Sequence, residues 1–174
     1  MVESSPWNAA DKNVDVSLSN SDFTASLTAP LSGMVRGVQS RDASENRYFE
    51  VTMSGASDGR SLVGVVTADQ FLNSYPGNSI YGWSYFGNTG ESYTNGTPTA
   101  YGDAWGNDVI GVWLNAGTVT FYKNGVSQGV AYSGLSGTMF PGWGSTTASA
   151  GTRSATIRTA PPFSYLPSGA GAWG

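Results

Sequence analysis

Four carboxylates in this chain have the type and setting for acid–base work: Glu50, Glu91, Asp103 and Asp108. A glycosidase needs two such groups ~5–9 Å apart across a cleft. Enzymes shaped as a sandwich of strands often carry both on one strand, and no Glu-x-Asp-x-x-Glu series occurs here. Asp108 opens an apolar run, where a carboxylate can instead accept nearby backbone amides. Asp103, Asn107 and Asp108 offer oxygen donors for Ca²⁺, which takes about six to eight oxygens. The Asp-x-Asn-x-Asp-Gly ligand series is missing, so an unmetallated turn is the simpler reading. The chain has no histidine and no cysteine. That removes the commonest general base, any Ser–His triad, thiolate chemistry and disulfides. Neither a Gly-x-Ser-x-Gly elbow nor a Gly-x-x-x-x-Gly-Lys phosphate loop is present. The expectation is a protein that binds and does not catalyse, with no cofactor and no metal.

Binding chemistry is better represented. Tyr and Trp dominate recognition hot spots and stack on sugar faces. Trp83 and Tyr85 lie in a run that reads as a strand, so both are expected in the core. Tyr75, Tyr101 and Trp105 lie among Gly, Asn and Pro and are expected to be exposed. With Arg41 in an earlier loop and Trp143 at the start of a later one, they make the candidate binding set Arg41, Tyr75, Tyr101, Trp105 and Trp143. Asn95-Gly96-Thr97 fits a glycosylation pattern, but Asn-Gly is already explained as a turn.

The elements that would position these residues are strands. Val119 and Phe121 alternate with Thr118, Thr120 and Tyr122, and Asn124-Gly125 follows at once. Alternation gives a two-faced strand, and Asn-Gly supplies the positive φ of a tight hairpin. Further strands are expected at 14–18, 23–28, 34–38, 48–54, 62–67, 81–86, 91–94, 109–114, 126–132, 138–143 and 155–159. One helical turn is expected near 68–72. Turn chemistry separates nearly all of them. The predicted architecture is all-β, an antiparallel two-sheet sandwich, with recognition carried by loops such as 95–107 and 144–153.

Composition agrees. The chain has 174 residues, 24 of them Gly, and only 11% are charged, against about 25% in ordinary proteins. Its net charge is −4 and its eight basic residues do not cluster, which argues against a nucleic-acid surface. No apolar run approaches the ~20 residues of a membrane span, and the start MVESSPWN has no secretory pattern. One domain over 1–167 is expected. Pro161–Pro167 should lie extended over it with Phe163 and Tyr165 as anchors. Residues 168–174 read as a flexible Gly/Ala-rich tail, although Trp173 could dock.

Four blocks, in order, carry a family resemblance: Arg47-Tyr48-Phe49-Glu50-Val51; Leu62-Val63-Gly64-Val65-Val66; Asp108–Val112 with Val119–Gly125; and Thr138-Met139-Phe140-Pro141. Together they resemble a SPRY domain. The flanks Trp7–Lys12, Leu18-Ser19-Asn20 and Pro162-Phe163-Ser164-Tyr165 are similar to SPRY-like domains of bacteriophage structural proteins. With them the resemblance covers about 7–167. Ile157-Arg158-Thr159-Ala160 departs from the family's frequent Asn-Phe-Gly.

The resemblance implies a bent, concanavalin-like sandwich and a non-catalytic binding module. It places the protein on a bacteriophage virion, as a capsid decoration protein or a tail or fibre component. The expected partners are other virion proteins, or a host-surface protein or glycan, met by repeated copies. A stand-alone carbohydrate-binding, lectin-like domain is the alternative.

Overall fold

The computed structural model describes residues 3–146 and 150–174. Fifteen strands run in chain order: β1 (Trp7–Lys12), β2 (Ser17–Ser19), β3 (Thr24–Thr28), β4 (Gly33–Gly37), β5 (Arg41–Asp42), β6 (Asn46–Gly55), β7 (Ser61–Val66), β8 (Gly82–Phe86), β9 (Ser92–Thr94), β10 (Thr97–Thr99), β11 (Val109–Asn115), β12 (Thr118–Lys123), β13 (Val126–Tyr132), β14 (Thr138–Ser145) and β15 (Thr152–Arg158). They form two antiparallel sheets. The first has the order β1-β4-β14-β7-β8-β9-β10, with β5 beside β14, and the second has the order β13-β12-β11-β6-β15-β3-β2. The all-β sandwich expected from the sequence is the fold. Among the described residues there is no helix, and 68–72 forms only a turn.

Alternation explains the core. Phe49, Val51 and Met53 of β6 face inward beside Ile110, Val112 and Leu114 of β11 and Val119 and Phe121 of β12. Val35, Val63, Val65, Tyr85 and Trp143 meet them from the first sheet. Fully burying a large apolar side chain stabilises by about 1.5–3 kcal/mol, so this seam holds the sheets together. The hairpin is as read: Asn124 and Gly125 have φ of 48° and 82°, and Lys123 pairs with Val126.

The outer face of the second sheet is divided in two. Across β3 and β15, Thr24–Thr156, Ser26–Ser154 and Thr28–Thr152 join hydroxyls at 2.7–2.8 Å. Across β6, β11 and β12 the C-terminal segment lies on the sheet. Phe163 packs edge-on against Tyr48, with ring centroids 5.3 Å apart. The Glu50 carboxylate accepts the Ser164 amide at 2.6 Å and the Tyr165 amide at 3.2 Å. Phe163 is thus an anchor as expected, while Tyr165 stays 42% exposed.

The tail is placed differently from its reading as a flexible segment. Trp173 is fully buried among core side chains, its ring 5.2 Å from that of Phe49. Tyr48 donates its amide to Gly171 O at 2.7 Å, and Trp173 returns a bond to Tyr48 O at 2.9 Å. One large aromatic ring docked in the core outweighs the mobility that Gly and Ala suggest. Three short strands also go beyond the sequence reading: β1, β5 and β10.

Candidate functional site

Strand register defines two ends. The connections β6–β7, β8–β9, β10–β11 and β14–β15 meet at one, here the loop end. Leu62 at the start of β7 pairs with Phe86 at the end of β8, and Ser61 pairs with Ser145 at the end of β14. The opposite end carries the β11–β12 and β13–β14 connections and the C-terminal tail.

Two clefts open at the loop end. The smaller, of about 130 Å³, is lined by Arg60, Leu62, Tyr75, Phe86, Tyr93 and Thr146. Tyr75 comes from the long 67–81 connection, which climbs the outer face of the first sheet. Ser84 Oγ donates to Pro76 O at 2.6 Å, and a Cβ at Gly144 would sit 2.9 Å from Pro76 Cδ. Glycine at 144 therefore lets the connection lie directly on the sheet. Gln70, 2% exposed, ties the same connection internally, accepting from Ser79 Oγ at 2.9 Å.

The cleft walls are aromatic. Tyr75 meets Tyr93 edge-on at 6.0 Å, and Tyr93 meets Phe86 at 5.5 Å. Burial raises the pKa of the Tyr75 hydroxyl, and burial with nearby Glu91 raises that of Tyr93. Both phenols are therefore neutral hydrogen-bonding groups at physiological pH. Among the described residues the Arg60 guanidinium forms no ion pair.

The larger cleft, of about 460 Å³, is lined by Ser57, Asp58, Gly59, Gly87, Asn88, Ala104, Trp105, Gly106 and Asp108. Its carboxylates are engaged. Arg153, 2% exposed, reaches Asp58 through Nε at 2.9 Å and through its second nitrogen. Burial pulls the Asp58 pKa up, but the Arg153 contact and the Arg60 amide outweigh it, and the net shift is downward. Asp108 accepts the Gly106 amide at 3.0 Å and the Asn124 side-chain amide at 2.7 Å. Glu91 accepts from Thr89 Oγ1. Glu50 lines neither cleft and is held beneath the C-terminal segment. Of the calcium alternative's oxygen donors, Asp108 is held as described, while the Asn107 side-chain amide donates to Gly55 O at 3.1 Å. Among the described residues no three acidic side chains converge as metal ligands would.

The five candidate binding residues are not one site. Tyr75 lines the aromatic cleft. Trp105, expected exposed, is 4% exposed and packs on Tyr85 at 5.8 Å. Its indole contributes floor to the larger cleft, and the Gly/Asn setting misled because the connection folds back over the core. Trp143 is fully buried on the inward face of β14. Arg41 sits at the tail end, donating to Trp173 O at 2.6 Å.

Tyr101 has a structural job. Its hydroxyl accepts the Phe121 amide at 3.2 Å and donates to Gly129 O at 2.5 Å. It thus bridges β12 and β13 where their register shifts. Burial outweighs the opposing pull of that amide and leaves its pKa pushed up to about 12. The sequence reading missed Arg60, Phe86 and Tyr93. Arg60 ends a Ser-Asp-Gly-Arg turn, a signal for exposure but not for convergence. Of the expected recognition loop 144–153, residues 147–149 lie outside the described residues.

Comparison with known proteins places this geometry. The sequence model of the SPRY domain matches residues 46–156. The chain is 35% identical over 99 residues to Ran-binding protein 9 of Xenopus laevis, covering 54% of this chain and 18% of that protein. It is 34% identical over 99 residues to Ran-binding protein 10 of Danio rerio, with 54% and 16% covered. The chain thus spans less than a fifth of the length of these relatives. Among solved structures, the SPRY domain of human HERC1 superposes with a TM-score of 0.74 at 16% identity, over 87% of this chain and 96% of that one. The stonustoxin structure gives a TM-score of 0.69 at 15% identity, over 89% of this chain and 27% of that one.

Proposed function

This chain belongs to the SPRY domain family, and from that premise we propose that it is a non-catalytic protein-recognition module that binds through its loop end. The observation that carries the reading is the aromatic cleft of Tyr75, Phe86 and Tyr93 with the guanidinium of Arg60, in no ion pair among the described residues, on its wall. Such a cleft takes an apolar side chain of a partner while the arginine meets a carboxylate or carbonyl beside it. No comparable chemistry supports catalysis, because Glu50, Asp58 and Asp108 are each held by groups of the fold.

The finer reading is a component of a bacteriophage particle, displayed on its surface as a capsid decoration or tail protein. Its support is the likeness of the Trp7–Lys12 and Pro162–Tyr165 flanks to SPRY-like phage structural proteins, together with low charge. Stable attachment would bury ~800 Å² per partner or more. Repeated copies would add avidity, so single contacts can be weak. The lectin alternative relied on open Trp105 and Tyr101 rings. One is buried and the other is spent on the sheet, which counts against it.

A photo-crosslinker placed at Tyr93 tests both levels. On purified particles it should capture a capsid or tail protein. Particles that lack the protein would overturn the virion setting. Partner crosslinks that arise only from the tail end would overturn the cleft.

A further inference from the structure

The turn Ser57-Asp58-Gly59-Arg60 sets a carboxylate two residues before a guanidinium. Arginine and carboxylate match in shape as well as charge, so a pair this close on a turn is expected to close on itself. It does not. Among the described residues Arg60 forms no ion pair, and the Asp58 carboxylate turns to Arg153 instead.

Arg153 alternates with Ala155 and Ile157 on the buried face of β15. Its Nε donates to Asp58 Oδ1 at 2.9 Å, and a second nitrogen donates to Oδ2, so both carboxylate oxygens are held. Asp58 Oδ1 also accepts the Arg60 amide at 3.2 Å. On the other side, Arg60 O accepts Ser145 Oγ at 2.8 Å and the Thr146 amide at 3.1 Å. The Arg60 main chain is thus fixed from both directions while its side chain reaches the cleft wall. Its charge still acts on Asp58: burial pulls that pKa up, and the bonds and charges of Arg153 and Arg60 bring it down on balance. The second carboxylate at this end is engaged too, since Glu91 accepts Thr89 Oγ1 at 2.5 Å and the Tyr93 hydroxyl at 3.5 Å.

We propose that Arg153 and Asp58 are positioning residues of the aromatic cleft: Arg153 sequesters the Asp58 carboxylate, and this leaves the Arg60 guanidinium to a carboxylate of the partner. The proposal rests on the loop-end cleft as the recognition site. The simpler account is that Asp58 only neutralises an arginine that the fold has buried, as such charges require. The two accounts part when Arg153 loses its charge. A mere counter-ion then matters to stability alone. A sequestered carboxylate, once released, turns to Arg60 and competes with the partner.

Side-chain NMR on the whole chain tests this, with N-acetylleucine, an apolar side chain beside a carboxylate, as the probe. The probe should shift the Arg60 Nε–H resonance saturably, and Arg60→Ala should abolish the binding read at the Tyr93 ring. Arg153→Gln should weaken binding about tenfold, the scale of one charged hydrogen bond. Before any probe is added, it should also slow exchange of the Arg60 Nε–H as Asp58 closes on it. Adding Asp58→Asn to Arg153→Gln removes the competing charge and keeps the turn's acceptor, so affinity should return to within about twofold of wild type. A merely structural role would give no such rescue. Affinity unchanged by Arg153→Gln, or lost and not restored in the double variant, would overturn the positioning role and leave the cleft standing. Binding that survives Arg60→Ala, or no binding at all, would overturn the cleft itself and the proposal with it. If Arg153→Gln does not fold, Arg153→Lys keeps the buried charge but cannot hold both oxygens, so it should weaken binding about threefold, and no loss would overturn the proposal.

Discussion

The two ends of the sandwich use aromatic side chains to opposite purposes. At the tail end, Trp173 fills the core opening, and its indole donates to Gln39 O at 2.8 Å. Arg41 caps it by donating to Trp173 O. At the loop end, Tyr75, Phe86 and Tyr93 line an opening and leave space between them, next to an arginine without an ion pair among the described residues. The difference is one of satisfaction. A side chain whose polar atom and apolar surface are both used by the fold closes the structure. A group left with capacity is available to a partner.

The largest expected effect comes from opening the sealed end. Trp173→Ala should destabilise the domain by about 3–5 kcal/mol, the usual cost of a core aromatic truncation. Chemical denaturation would measure it. A loss below about 1 kcal/mol would mean that the tail is an ornament and that the ends are alike. Next comes Glu50→Ala. It strips the partner from two backbone amides under the C-terminal segment, at a cost of about 2–3 kcal/mol. Amide exchange at Ser164 and Tyr165 should speed up first, ahead of β11 and β12.

How much of this contrast was visible in the chain depends on the range of the interaction. Period-two patterns are local, so the inward faces of β6, β11 and β12 followed from the residues themselves. Trp143 was also legible in principle. It continues the inward series of Met139 and Pro141 along β14, and the expected strand 138–143 already contains it, but its place beside the expected loop 144–153 suggests exposure. Trp105 and Trp173 were not legible. Each is a single aromatic in a Gly-rich stretch, buried by strands distant in sequence. Composition reports local chain freedom, and docking energy overrides it. Strand β1 escaped because Trp-Asn-Ala-Ala-Asp-Lys has no β-branched residue, and its pairing is irregular. The aromatic cleft was half read: Tyr75 was named, but Arg60, Phe86 and Tyr93 converge on it only through the sheet register.

A smaller effect should come from Tyr101→Phe, which keeps the ring and deletes the hydroxyl between Phe121 N and Gly129 O. The expected loss is about 1–2 kcal/mol. The wild-type phenol also makes a signature in pH. Its pKa is raised from 10.0 to about 12 in the folded protein. The stability it contributes is therefore fully present below the unfolded value and is lost as pH rises from about 10 to about 12. Tyr101→Phe should flatten part of the alkaline limb of a stability–pH profile. Buried Tyr48, Tyr85 and Tyr132, whose pKa values are also raised, keep the remainder. An unchanged limb would place the hydroxyl in water and return Tyr101 to the candidate recognition surface.

Tyr75→Ala should have the smallest effect on folding and the largest on recognition. Its ring is only partly buried and lies outside the main core cluster. It meets Tyr93 edge-on, and such pairs contribute about 0.5–1.5 kcal/mol beyond burial. Stability should therefore fall by about 1 kcal/mol or less, while partner capture by a crosslinker at Tyr93 is lost. Arg60→Ala is the companion, since it removes charge without removing a wall of aromatic surface. If Tyr75→Ala instead unfolds the domain as Trp173→Ala does, the ring is a plug of the 67–81 connection, and the loop end is closed as well. If both variants fold and still crosslink normally, the cleft is open but idle, and recognition must be sought elsewhere on the surface.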